Sequence, residues 1–282
     1  MIVATSRYRR TRRLAWDALS LILAAAWLLP LATMALTAIK PDSEINTPQF
    51  SWVPHAPTLA HFGRAWHLAP FGRFYANSIM VAAATTLIVL VIGSMAAFAL
   101  CRLQFRGQRL LLGAIMSTTM VPFQVLLIPF FILLTTLGLV NSLLGLVMAY
   151  VAILLPFAIF MLVGFMRHLP REVEESARVD GCSWLGVWWR IGLPMSRPAL
   201  AAVGVYTFVE CWKEFFIALV MTNSQSIRTI PIGLALFRTD QPGIGWGEIM
   251  AGALTAGLPA VLVFVAMQRW FIAGLTDGAV KG

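Results

Sequence analysis

The chain has 282 residues, of which 59% are hydrophobic and only 12% charged, with a formal net charge of +9 and a mean hydropathy of +0.81. A water-soluble domain needs more charge than this to cover its surface, so the composition excludes an ordinary soluble enzyme and points to membrane-spanning helices. The positive excess would suit nucleic acid or anionic lipid, and the placement of the basic residues decides between them.

In chain order, residues 1–13 come first, a basic segment carrying Arg7, Arg9, Arg10, Arg12 and Arg13. Six apolar windows follow within 14–272, each near the roughly 20 residues that cross a hydrocarbon core. They cover 14–39, 75–101, 110–134, 143–165, 199–221 and 249–271. The first is too long for the apolar core of a secretory signal and is predicted as a span. Residues 273–282 form a short tail. The two termini and the loops 102–109 and 167–197 together hold fifteen Lys and Arg, the opposite loops five, and Lys213 lies inside a span. Positive loops stay cytoplasmic, so both termini are expected on the cytoplasmic side of a membrane that the chain crosses several times. The charge thus sets topology, and nucleic acid is set aside as a partner. Cys101, Cys182 and Cys211 all fall outside the outer segments, so no disulfide framework is expected. No inverted repeat is visible. Six spans are few for a pore with a central site, which points to a dimer of subunits in the lipid bilayer.

The loop 170–198 reads PREVEESARVDGCSWLGVWWRIGLPMSRP. Pro170 can open a helix with Glu172, Glu174 and Glu175 in its first turns, where the dipole favours anions. Gly181 breaks it. Ser183 can cap a second helix with an apolar face of Trp184, Leu185, Trp188 and Trp189, and Pro194 closes the segment. A compact amphipathic knuckle of this kind suits docking to a soluble partner.

The spacing is specific. Glu175-Ser176-Ala177 is followed by three residues and Gly181, nine more lead to Ile191, and Leu193-Pro194 completes the pattern; Asp180 precedes the glycine. This resembles the E-A-A loop of ABC importer permease subunits, with Ser176 replacing the first alanine. The run Ala177-Arg178-Val179-Asp180-Gly181 and the ending GLTDGAVKG resemble the carbohydrate branch, the maltose and glycerol-phosphate type permeases. The resemblance implies an all-α membrane protein with the type I ABC importer permease fold, a multi-pass component of a bacterial plasma (inner) membrane. It implies that Glu175, Ser176, Ala177, Asp180, Gly181, Ile191, Leu193 and Pro194 couple an ATPase to the membrane helices. It also implies a second permease subunit in a heterodimer, a dimer of ABC ATPase subunits, and an extracellular or periplasmic solute-binding protein. The tail is expected to reach between the ATPase subunits. The chain has no G-x-x-x-x-G-K-[ST] loop, so ATP and magnesium are expected on the partner ATPase, with no cofactor in this chain.

The fifth window carries Tyr206, Glu210, Lys213 and Glu214. Ionisable residues at membrane depth are costly and usually face a bundle interior or a watery cavity. Their spacing places them on one helical face, where both glutamates could reach Lys213. Two readings stand: a polar wall of the translocation path, or an ion-pair cluster fixing this helix to its neighbours. The family usually has Trp-Asn-Asp/Glu here, and Lys213 departs from it. A reading from another class is an integral-membrane enzyme centred on residues 210–214, although no catalytic set assembles. In the outer loop 223–248, the apolar run ending in Leu236 and Phe237 is expected to contact the binding protein. His55, His61 and His67 recur every six residues, a spacing unlike helical metal ligands, so no metal site is expected. Pro122, Pro129 and Pro156 are read as packing kinks.

Overall fold

The computed structural model describes residues 2–47, 51–240 and 243–279, with side chains described for 14 and 16–267. The N-terminal arginines' side chains, and Lys281 with the end of the tail, lie outside the described residues. Fourteen α-helices are present among them and no strand: α1 (Ile2–Ile39), α2 (Asp42–Ile45), α3 (Ala60–Leu68), α4 (Phe71–Arg102), α5 (Gln108–Thr118), α6 (Phe123–Thr136), α7 (Leu143–Met166), α8 (Glu172–Val179), α9 (Trp184–Val187), α10 (Leu193–Met195), α11 (Arg197–Lys213), α12 (Phe216–Met221), α13 (Ile230–Asp240) and α14 (Trp246–Ala279). One π turn, Trp188–Gly192, joins α9 to α10.

Four of these helices are long and apolar enough to cross a membrane, within Trp16–Ile39, Phe71–Arg102, Leu143–Met166 and Trp246–Met267. A fifth crossing is available if α5 and α6 count together, although they meet at a 96° bend. Pro122 is the physical reason: it lacks an N–H, and its ring disfavours helix at the residue before it. It therefore breaks the expected span 110–134 where the sequence suggested a mere kink. The expected span 199–221 is likewise divided, between the 17 residues of α11 and the six of α12.

The chain forms two compact units. In one, comprising 70–236 and 256–282, α4, α7 and α11 pack closely. Small residues allow the approach: a β-carbon at Gly93 would lie 3.6 Å from Leu155 and Leu162 and 3.8 Å from Ala158. Buried side chains gather at two levels. Phe98, Leu162, Met166, Val187 and Trp188 belong to one cluster, and Val81, Leu146, Tyr150, Ile217, Met221 and Ile232 to the other. Trp212 Nε1 donates to the Ala256 carbonyl at 2.9 Å, attaching α14.

The other unit comprises 1–69 and 237–255. His61 is fully buried there. Its Nε2 donates to the Lys40 carbonyl at 2.7 Å, and its Nδ1 accepts from Arg64 Nη2 at 2.7 Å, a tautomer assigned from these partners. Arg64 also donates to Glu248 Oε1 at 2.6 Å and Asp42 Oδ2 at 2.9 Å. Asp42, His61 and Glu248 thus approach one another closely enough to suggest ligands, with candidate atoms within 4.8 Å. A guanidinium already bridges both carboxylates, so an ion-pair network holds the cluster together. The sequence spacing of the three histidines could not show this, because only His61 joins it.

Candidate functional site

The loop 170–198 folds as two short helices with a sharp break. α8 carries Glu172, Glu174 and Glu175 in its first turn. Gly181 adopts φ +87, left-handed backbone that residues with a β-carbon resist. Ser183 Oγ then accepts from the Gly186 N–H at 3.1 Å and caps α9. The three acids do not act alike. Glu175 is exposed, whereas Glu174 turns inward and takes both oxygens to Arg102, at the end of α4. Arg102 Nη2 donates to Glu174 Oε1 at 2.9 Å and Nε donates to Oε2. Both side chains are 3% exposed, so this is a buried, bidentate ion pair.

Aromatic packing adds to this attachment. Phe98 of α4 meets Trp184 edge-on at 6.3 Å, and a β-carbon at Gly192 would lie 3.2 Å from the Phe98 ring. The anticipated single apolar face is divided: Trp188 packs inward, whereas Leu185 and Trp189 are 61% and 64% exposed. The spaced motif separates in the same way. Ala177, Ile191 and Leu193 pack against the buried cluster, while Glu175, Ser176, Asp180, Gly181 and Pro194 are exposed. Ala177, Ile191 and Leu193 hold the knuckle, and the other motif residues are presented outward.

The fifth-window residues also part company. Tyr206 and Glu210 line a cavity of about 490 Å³ with Phe157, Pro156 and, from the bend between α5 and α6, Pro122. Phe157 and Tyr206 lie 4.8 Å apart, centroid to centroid. Lys213 Nζ pairs with Glu210 Oε1 at 2.8 Å. Glu214 does not join that pair. It sits at the break after α11 with extended backbone, φ −67 and ψ 127. Its carboxylate accepts from the Ile217 N–H at 2.9 Å, the Ala218 N–H at 3.1 Å and the Tyr150 hydroxyl at 2.8 Å. The start of a helix leaves N–H groups without an intrahelical partner, and Glu214 satisfies two at the start of α12. Nothing in the sequence pointed to Tyr150 or Arg102 as partners, since both bonds join distant segments.

Beyond α12, the run expected to be an exposed contact is the helix α13. Ile230 N donates to Ser78 Oγ at 2.8 Å, and Asn77 Nδ2 donates to the Ser226 and Arg228 carbonyls at 2.9 and 3.0 Å. Phe237 is 1% exposed and Ile232 fully buried, while Leu236 is half-buried against the second cluster. The apolar residues are thus the packed stripe of an amphipathic helix, which corrects the expectation that Leu236 and Phe237 are open to a partner. Ala235 and Thr239 are exposed instead.

Comparison with known proteins agrees with this architecture. Residues 89–277 match the family described as binding-protein-dependent transport system inner membrane component. The chain is 33% identical over 261 residues to the sulfoquinovosyl glycerol transport system permease protein SmoH of Agrobacterium fabrum, covering 93% of this chain and 91% of the relative. It is 34% identical over 263 residues to the diacetylchitobiose uptake system permease protein DasC of Streptomyces coelicolor, covering 93% and 95%. A bacterial ABC transporter chain involved in import of the acidic polysaccharide alginate shares the fold, with TM-score 0.83 at 21% identity over 93% of this chain and 97% of that one. The chain belongs to the binding-protein-dependent inner membrane component family: it is a transporter permease component and not an enzyme, which removes the intramembrane-enzyme reading of residues 210–214.

Proposed function

We propose that this permease component serves an ATP-driven importer of a sugar or sugar derivative, with a second permease subunit, a dimer of ATPase subunits and a solute-binding protein. The observation that carries the coupling role is the buried Arg102–Glu174 pair. It fastens the outward-facing motif residues to the end of α4, so a push on the knuckle moves a 32-residue helix rather than a slack loop. ATPase closure then shifts the population of membrane-helix arrangements, with ATP and magnesium held by the partner. The solute class follows from the relatives, named for a sulfoquinovosyl glycerol and a chitobiose derivative. The cavity chemistry is compatible with it: Phe157 and Tyr206 offer apolar faces to a sugar ring, and Glu210 accepts hydroxyl hydrogen bonds.

On this reading Tyr206 and Glu210 line the path, Lys213 neutralises Glu210, and Glu214 holds the helix break. The binding-protein contact falls to the exposed edge of α13 at Ala235 and Thr239. The test is affinity purification of the tagged chain, followed by ATPase assays with candidate binding proteins and sugars. An ATPase and a second permease should co-purify, and sugar-loaded binding protein should stimulate hydrolysis. A chain that purifies without any ATPase, or a complex that no sugar-loaded protein stimulates, defeats the proposal.

A further inference from the structure

At the same end of the molecule as the knuckle, a second concavity of about 230 Å³ opens among the ends of α4, α5 and α7. Its lining is basic: Arg109, Arg167 and Arg171 converge there with Gln108, above the apolar Leu100 and Leu112. These cations lack the neutralisation that Arg102 enjoys. Arg171 donates only to the Cys101 carbonyl at 3.4 Å, and among the described residues Arg109 and Arg167 face no carboxylate within ion-pair distance. Glu174, the nearby acid, is fully engaged by Arg102. Gln108 is fixed by donating its amide to the Leu100 carbonyl.

Three solvent-exposed guanidinium groups share one hollow without a carboxylate partner, and an anion placed there is attracted by all three. Guanidinium forks match phosphate oxygens. The rim adds a second constraint. Leu110 and Leu111, on the first turn of α5 beside Arg109, are 78% and 47% exposed, as expected of a surface that meets acyl chains. Basic pockets between helices at the cytoplasmic boundary are suited to anionic headgroups.

We propose that Arg109, Arg167 and Arg171 form a binding site for the phosphate of an anionic phospholipid, whose chains lie along the exposed leucines of α5. Occupancy joins the ends of α4, α5 and α7 beside the Arg102–Glu174 attachment. The bound lipid thereby stiffens the end of the bundle that the knuckle moves.

The test uses the complete transporter, purified with its ATPase subunits and placed in nanodiscs of phosphatidylcholine alone or mixed with phosphatidylglycerol. Native mass spectrometry counts the retained lipids, and a titration of phosphatidylglycerol into phosphatidylcholine discs gives the apparent affinity. Phosphatidylglycerol should be retained in preference to phosphatidylcholine, with affinity falling roughly fivefold for each arginine removed in Arg109→Gln, Arg167→Gln and their combination. Arg106→Gln removes a charge from the same loop but outside the hollow and should leave retention unchanged. Equal retention of both lipids, or an equal loss in Arg106→Gln, overturns the site. So does saturation of the site by inorganic phosphate or glycerol phosphate as strongly as by the lipid, since the ligand would then be a soluble phosphate. Retention by the permease pair alone but not by the full complex would assign the hollow to an acidic side chain of the ATPase and equally defeat the lipid assignment.

Discussion

At the scale of single residues, Gly181 and Glu214 each resolve a backbone problem that neighbouring residues cannot. A β-carbon at Gly181 would meet no atom within 4 Å, so its first difficulty lies in φ +87. Gly181→Val should therefore cost about 1–2 kcal/mol of local conformational energy and shift the knuckle away from its docked geometry, without unfolding the bundle. Loss of ATPase co-purification or of stimulated hydrolysis, with thermal unfolding unchanged, is the expected pattern. Normal transport by this variant would remove the knuckle from the docking role. Glu214 is different because its carboxylate is consumed by Ile217, Ala218 and Tyr150. Glu214→Gln keeps an acceptor oxygen and should retain most stability, whereas Glu214→Ala should lose about 1–3 kcal/mol through unsatisfied N–H groups. Tyr150→Phe should lose less than Glu214→Ala, because it leaves both cap bonds in place. If the alanine and glutamine variants melt alike in detergent, the capping role is wrong.

At the scale of elements, the attachment of α8 to α4 has the largest expected consequence. Glu174→Ala leaves the buried Arg102 without its partner, a situation that typically costs about 3–5 kcal/mol. The combined Arg102→Met and Glu174→Leu variant replaces the pair by apolar bulk and should recover most of that stability. Transport assays on the recovered double variant separate stability from transmission. If a charged bidentate pair is what makes the joint stiff, uptake per transporter stays reduced although the melting temperature returns. Full recovery of both would mean that packing alone carries the motion. The same region shows how much the sequence disclosed. Gly181, the Ser183 cap and the acid-rich first turn were legible because each is a local rule acting within a few residues. The inward turn of Glu174 was not, because its partner lies 72 positions away and local dipole arguments treat all three acids alike. The 230–237 run was misread for a related reason. Its apolar residues look like an exposed patch until Ser78 and Asn77 of α4 are seen to fasten the segment as a helix, which buries them. Likewise residues 206–214 read as one face of a continuous helix, and that geometry failed where the chain breaks at Glu214.

At the scale of the whole molecule, the distribution of basic residues makes a claim that the helix lengths alone leave open. α11 has 17 residues and α12 six, so at 1.5 Å per residue they extend about 25 Å and about 9 Å. Neither is comfortable alone across a hydrocarbon core of about 30 Å, but end to end they suffice. Their junction is the one place in this stretch where Glu214 supplies acceptors for freed N–H groups, which makes a crossing through the break affordable. Asp180 lies before this pair and Thr239 after it, and both are exposed. We expect the charge asymmetry to place them on opposite sides of the membrane, with Asp180 in the cytoplasm. In a background with Cys101, Cys182 and Cys211 replaced by serine or alanine, Thr239→Cys should react with an impermeant maleimide on intact cells or spheroplasts. Asp180→Cys should react only after permeabilisation. This outcome requires an odd number of crossings between the two positions, met by α11 and α12 acting as one broken span. Labelling of both positions from the same side would make α11 and α12 a re-entrant pair, and would relocate Tyr206 and Glu210 from a path wall to a loop dipping in from one face.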